Sequence, residues 1–161
     1  MGTIKSKMIL ISLLVLISLF TGCTFTFVTS SVGELIIENE VLAVDQYGNL
    51  LNYYDKDFPI RAIVAYKDGE EYYRMDGVYK NVECNIPAGE YCTYQWDSGT
   101  YDILLYSYYN DYWYLSFKED VYVPAGGDET ITLYNSESMR LVPGMVSSMY
   151  DNLPEVVKAY F

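Results

Sequence analysis

The stretch from Leu104 to Phe117 restricts the fold more than any other, because short alternating runs stand on both sides of Asn110-Asp111. With those two residues as a hairpin turn, Tyr109 faces Tyr112, Tyr108 faces Trp113, Ser107 faces Tyr114, Tyr106 faces Leu115 and Leu104 faces Phe117. Side chains two apart then share a face. One face holds Leu104, Tyr106, Tyr108, Trp113, Leu115 and Phe117, and is expected to be core. The other holds Leu105, Ser107, Tyr109, Tyr112, Tyr114 and Ser116, with three tyrosines near the hairpin tip. It is the candidate contact surface, centred on Tyr109, Tyr112 and Tyr114 with Trp113 close by. Tyrosine suits recognition because it offers a flat, rigid apolar area with a polar tip. It also suits pleated, half-buried surfaces, where cross-strand aromatic pairs contribute roughly 0.2 to 1 kcal/mol each. That plainer role accounts for Tyr53-Tyr54 and Tyr72-Tyr73.

The rest of the chain is cut into runs of the same kind. Strands are expected at Glu34–Asn39, at Val41–Val44, over Ile60–Tyr66 and at Glu71–Met75. Asp45-Gln46-Tyr47-Gly48-Asn49 reads as a turn, and Asp68-Gly69 is a strong hairpin signal. Ile86-Pro87-Ala88-Gly89 and Val123-Pro124-Ala125-Gly126 each mark a reversal before a new strand, with Pro expected second in the turn and Gly fourth. The fold class is therefore all-β, an antiparallel sandwich over 34–135. Residues 136–161 form a C-terminal extension in which Val156, Val157, Tyr160 and Phe161 make an apolar helical stripe after Asn152-Leu153-Pro154, packing on the sandwich edge.

Gly99-Thr100-Tyr101-Asp102-Ile103, set between the two Pro-Ala-Gly turns and followed by Thr130-Ile131-Thr132-Leu133, resembles the end of small immunoglobulin-like and transthyretin-like β-sandwiches of cell-envelope proteins. The resemblance covers roughly residues 86 to 134. It implies that Tyr101 anchors a strand start through its hydroxyl. It implies architecture only, since such folds serve adhesion, sugar binding or spacing.

At the N-terminus Lys5 and Lys7 precede an uncharged run from Met8 to Phe20, and Thr21-Gly22 precede Cys23. This resembles a bacterial lipoprotein signal peptide covering 1–22, which implies cleavage before Cys23 and acylation of its thiol. Residues 23–33 would be the acylated cysteine and a spacer. The rival reading is an uncleaved signal anchor, since Met8 to Val28 is uncharged and would be about 30 Å long as a helix. Either way the body is tethered outside the cytoplasm, at the cell membrane or outer envelope.

Loss of residues 1–22 takes away two lysines and no acid, moving the formal charge from −12 to −14. Such a surface repels phosphate backbones and anionic headgroups, so nucleic acid is excluded as a partner and membrane contact comes from the anchor. There is no histidine. Its absence removes the commonest general base, the usual metal ligand and the base of most Ser or Cys nucleophiles. No cofactor or metal is expected. Cys84 and Cys92, symmetric about Ala88, read as a hairpin disulfide in an oxidising compartment, contributing roughly 2 to 3 kcal/mol. The alternative is a pair of buried thiols.

The acidic residues fall into two groups. Asp55 and Asp57 with Asp45 lack the spacing of a calcium loop and read as a solvated loop. Glu70, Glu71, Asp97, Asp102 and Asp111 are available as a carboxylate pair, without a sign that any two converge. The expectation is a non-catalytic, envelope-anchored binding or structural module that meets an envelope protein or a glycan. Its alternatives are a carbohydrate-binding domain using the Tyr109/Tyr112/Tyr114 face, and a small carboxylate-dependent glycan hydrolase.

Overall fold

The computed structural model describes residues 31–75 and 85–161. The leader, Cys23 and Cys84 lie outside these residues. The chain forms an all-β, sandwich-like fold with short C-terminal helices. A three-stranded sheet runs in the order β6 (Tyr91–Asp97), β1 (Val32–Asn39), β9 (Asp128–Leu133). A five-stranded sheet runs β10 (Met139–Arg140), β8 (Tyr112–Val123), β7 (Gly99–Tyr109), β4 (Ile60–Lys67), β5 (Glu70–Met75). A small ladder of β2 (Leu42–Val44) and β3 (Leu50–Tyr54) stands beside them. All pairings are antiparallel except β1 with β9, which is parallel.

Alternation in β1 sends Leu35 and Ile37 inward, where they are fully buried with Ile131 and Leu133 of β9. Ile63, Ala65, Ile103 and Leu105 of the five-stranded sheet complete the same core. Burying each of these leucine and isoleucine side chains contributes about 1.5 to 3 kcal/mol. The β7–β8 hairpin has the expected register: Tyr109 pairs with Tyr112, Tyr108 with Trp113, Ser107 with Tyr114 and Leu104 with Phe117. Asn110 and Asp111 carry φ of 47° and 64°, the two positive values a type I′ turn demands. Asp68 and Gly69, at φ of 54° and 80°, turn the chain between β4 and β5 in the same way.

The five-stranded sheet is apolar on both sides, so period two separates its faces without saying which lies inward. Leu105, Ser107, Tyr109 and Tyr114 point to the core between the sheets, whereas Tyr106, Trp113 and Leu115 point outward. That outer face is covered by the helix Pro143–Met149, a following 3-10 turn at Tyr150–Asn152 and the helix Glu155–Lys158. Val146, Leu153 and Val157 close a second core there with Ala62, Val64 and Leu141. The C-terminal extension thus caps a sheet face rather than an edge. It also contributes β10, which pairs with β8 at Leu115 and Tyr114.

The Pro-Ala-Gly turns differ from expectation by one position. Glu90 N donates to Pro87 O and Gly127 N to Pro124 O, so proline stands first and glycine third. The glycines need the third place because their φ is 83° at Gly89 and 68° at Gly126. Gly89 has a second reason, since an added Cβ would run into the Tyr54 ring.

Tyr101 anchors the start of β7 through a hydrogen bond from its hydroxyl to Asp97 O. Its ring joins Tyr72 and Trp96, each with a centroid 5.0 Å away. Lys67 Nζ lies 5.2 Å from the Tyr101 centroid and donates to Ser98 O at 3.0 Å. Burial first, then the neighbouring Tyr72 hydroxyl, pushes the Tyr101 phenol well above its ordinary range.

Candidate functional site

The tyrosines singled out from the sequence do not form a flat exposed row. Tyr109 and Tyr114 are half-buried against Phe58, with ring centroids 5.4 and 5.1 Å from it and planes tilted by 42° and 51°. They face the inside of the sandwich because Leu105 and Ser107, on the same side of β7, do. Tyr112 is exposed, but the Arg140 guanidinium lies 3.2 Å from its ring centroid and covers that face. Trp113 is 4% exposed under the C-terminal helices.

What remains open at this end is a small pocket of about 150 Å³, lined by Tyr109 and Tyr114 with Phe58, Asp55, Asn135 and Ser138. Burial, followed by the charge of Asp55, raises the Tyr109 phenol above its usual value. Asn135 is spent on the backbone, accepting from Leu42 N at 2.8 Å and donating to Leu42 O at 2.7 Å. The pocket therefore offers ring faces and one carboxylate in a space below the usual size of a ligand site.

The larger feature lies on the opposite face. An open groove of about 550 Å³ runs over the outer side of the five-stranded sheet where the C-terminal helices stop short. Leu104, Tyr106, Leu115 and Phe117 supply its floor, Tyr66 and Asp102 one margin, and Glu137, Met139, Met149 and Asn152 the other. Phe117 and Met139 are each 49% exposed, an arrangement that leaves apolar area unpartnered at the surface. Register explains the assembly: Leu104 faces Phe117, Tyr66 faces Asp102, and Met139 faces Leu115 across β10 and β8.

Both groove carboxylates have protein partners. Glu137 pairs with Lys118 Nζ at 2.6 Å and accepts from Tyr134 N at 3.1 Å. Asp102 accepts from Asp120 N at 3.2 Å, at a position where Asp120 has a φ of 55°. Of the carboxylates considered for catalysis, Asp102 alone lines the groove; Glu70, Glu71, Asp97 and Asp111 do not. Glu137, Phe117 and Met139 were missed as site residues. Phe117 had been placed correctly on a face with Leu104, and the signal available was the run of apolar residues on a sheet face longer than the extension could cover.

Among the described residues no three Asp, Glu or Cys side chains gather closely enough to hold a metal ion. Cys92 is a half-buried free thiol on β6, and its expected partner Cys84 lies outside the described residues. Among the described residues no helix is long and apolar enough to cross a membrane. Comparison of the chain with protein families, curated proteins and solved structures finds no match.

Proposed function

We propose that this chain is an exported, membrane-tethered, non-catalytic binding module, held through acylated Cys23 and contacting its ligand at the groove over the five-stranded sheet. One observation carries the reading: a groove of about 550 Å³ whose apolar floor includes the half-exposed Phe117, with Met139, also half-exposed, at its margin, on an otherwise acidic domain. Pockets of roughly 300 to 1,000 Å³ with mostly apolar linings are where small ligands bind. The N-terminal Lys5, Lys7, apolar run and Cys23 support the tether. An immunoglobulin-like or transthyretin-like ancestry belongs to the same proposal. It is supported by the two facing sheets and by the Tyr101 hydroxyl reaching back four residues to Asp97, as in a tyrosine corner.

A second reading, a carboxylate-dependent glycan hydrolase, is favoured by Asp102 and Glu137 lining one groove. Against it, each carboxylate is held in a structural contact, Glu137 with Lys118 and Asp102 with Asp120 N. Carbohydrate binding at Tyr109, Tyr112 and Tyr114 is narrowed to the small Tyr109–Tyr114 pocket, since those two rings tilt against Phe58 and Arg140 covers Tyr112.

The test is NMR of the full chain carrying ¹³C-methyl methionine, titrated with an oligosaccharide panel and a panel of small amphiphiles. Perturbation of Met139 and Met149 is expected from the second panel. Reducing-sugar release from any oligosaccharide would overturn the non-catalytic reading. Cys23→Ala is expected to abolish labelling by radioactive fatty acid, and retained label would remove the lipid tether.

A further inference from the structure

The chemistry of the groove narrows what fills it, granted that the groove is a binding site. Its floor offers aliphatic and aromatic carbon from Leu104 and Phe117, and two methionines, Met139 and Met149, line one margin. Methionine fills irregular space and adapts to the shape of an apolar guest. The only ionic groups among its described lining residues are carboxylates, Asp102 and Glu137, with no lysine or arginine. Lys118, the cation at Glu137, is already paired at 2.6 Å and does not line the groove.

Long-range electrostatics act in the same sense. Acids outnumber lysine and arginine by 22 to 10 over the chain. A cleft lined by one sign of charge with low-dielectric walls concentrates ligands of the opposite sign and turns away its own. An anionic amphiphile would have to place its head beside Asp102. A cation placed there gains the carboxylate, and Tyr66, opposite Asp102 in the register, puts an aromatic ring at the same margin.

We infer that the groove binds a lipophilic cation, a small molecule with an apolar body and an ammonium or guanidinium head, the body lying over Leu104 and Phe117 and the head at Asp102. The inference rests on the groove reading above, and a matched set of probes separates the two. The full chain in zwitterionic nanodiscs is titrated with 4-phenylbutylammonium, 4-phenylbutanol and 4-phenylbutanoate, which share one body and differ in the head; empty nanodiscs supply the partition control.

The expected result is perturbation of the Met139 and Met149 methyl signals, with the ammonium binding about fivefold or more tighter than the alcohol and the carboxylate weakest. Asp102→Asn keeps an oxygen for Asp120 N and is expected to erase most of the ammonium's advantage while leaving alcohol binding unchanged. Phe117→Ser is expected to weaken all three together. Equal affinities, or tightest binding of the carboxylate, would overturn the cationic ligand and leave the groove standing. Silence of both methionines toward all three probes at millimolar concentration would overturn the groove as a small-molecule site. Should Asp102→Asn fail to fold, the ranking of the three probes on the unaltered chain decides the question alone.

Discussion

The Asn39 side-chain amide donates to Ile86 O at 2.9 Å, tying the end of β1 to a segment 47 residues away. The same Nδ2 donates to Phe58 O at 2.9 Å, and the residue is fully buried. Replacing it with leucine keeps similar bulk but orphans Phe58 O and Val41 N, while Ile86 O keeps its bond from Ile60 N. Each unsatisfied buried group costs about 1 to 3 kcal/mol, so Asn39→Leu is expected to lower the urea-unfolding free energy by roughly 2 to 4 kcal/mol. An unchanged midpoint would show that the amide is dispensable.

Tyr101→Phe removes the hydroxyl that binds Asp97 O and is expected to cost about 1 kcal/mol at neutral pH. A pH signature accompanies it. Burial and the Tyr72 hydroxyl raise the folded phenol above its ordinary 10.0, so the folded chain keeps a proton that the unfolded chain releases. The corresponding stability is whole below pH 10 and drains as pH rises toward the folded value. Urea midpoints on either side of pH 10 should therefore fall less steeply in the variant, with Tyr54, Tyr108 and Tyr109, also raised, contributing to the remaining slope.

Leu153 is fully buried under the second core, where it helps close Trp113 and Tyr106 from solvent. Leu153→Ala is expected to destabilise by roughly 2 to 5 kcal/mol and to let the C-terminal cover loosen first. Trp113 emission then moves to longer wavelength while that of Trp96, 2% exposed between the sheets, stays put. Trp113→Phe and Trp96→Phe backgrounds separate the two signals.

Gly89→Ala tests the turn before β6. The backbone there has a φ of 83° and Tyr54 occupies the space of a Cβ, so the substitution is expected to cost more than about 1 kcal/mol. The parallel change at Gly126, where φ is 68° and nothing lies within 4 Å of an added Cβ, should cost less by the steric part.

How much of this was legible in the sequence depends on what each feature needs. The β7–β8 register follows from Asn110-Asp111 and a strict period of two, both local, and the structure has those pairs. Which face is inward is not local. It was assigned the wrong way for Tyr109 and Tyr114 because the sheet is buried on both sides, one side against β1 and β9 and the other under Val146, Leu153 and Val157. Asn39 read as a polar strand end, and only the arrival of Phe58 and Ile86 makes it a buried tie. The groove needed Met139 and Met149 to be set beside Phe117, contacts between segments that no spacing rule reports.

The chain enters the domain at Val32, in the middle strand of the three-stranded sheet. That strand is bonded on both flanks, antiparallel to β6 and parallel to β9. Tension arriving from the N-terminal side therefore cannot peel the sheet open rung by rung; it loads two ladders in shear, with their bonds sharing the force. A body held by this end would resist being pulled apart at the strand that bears the load.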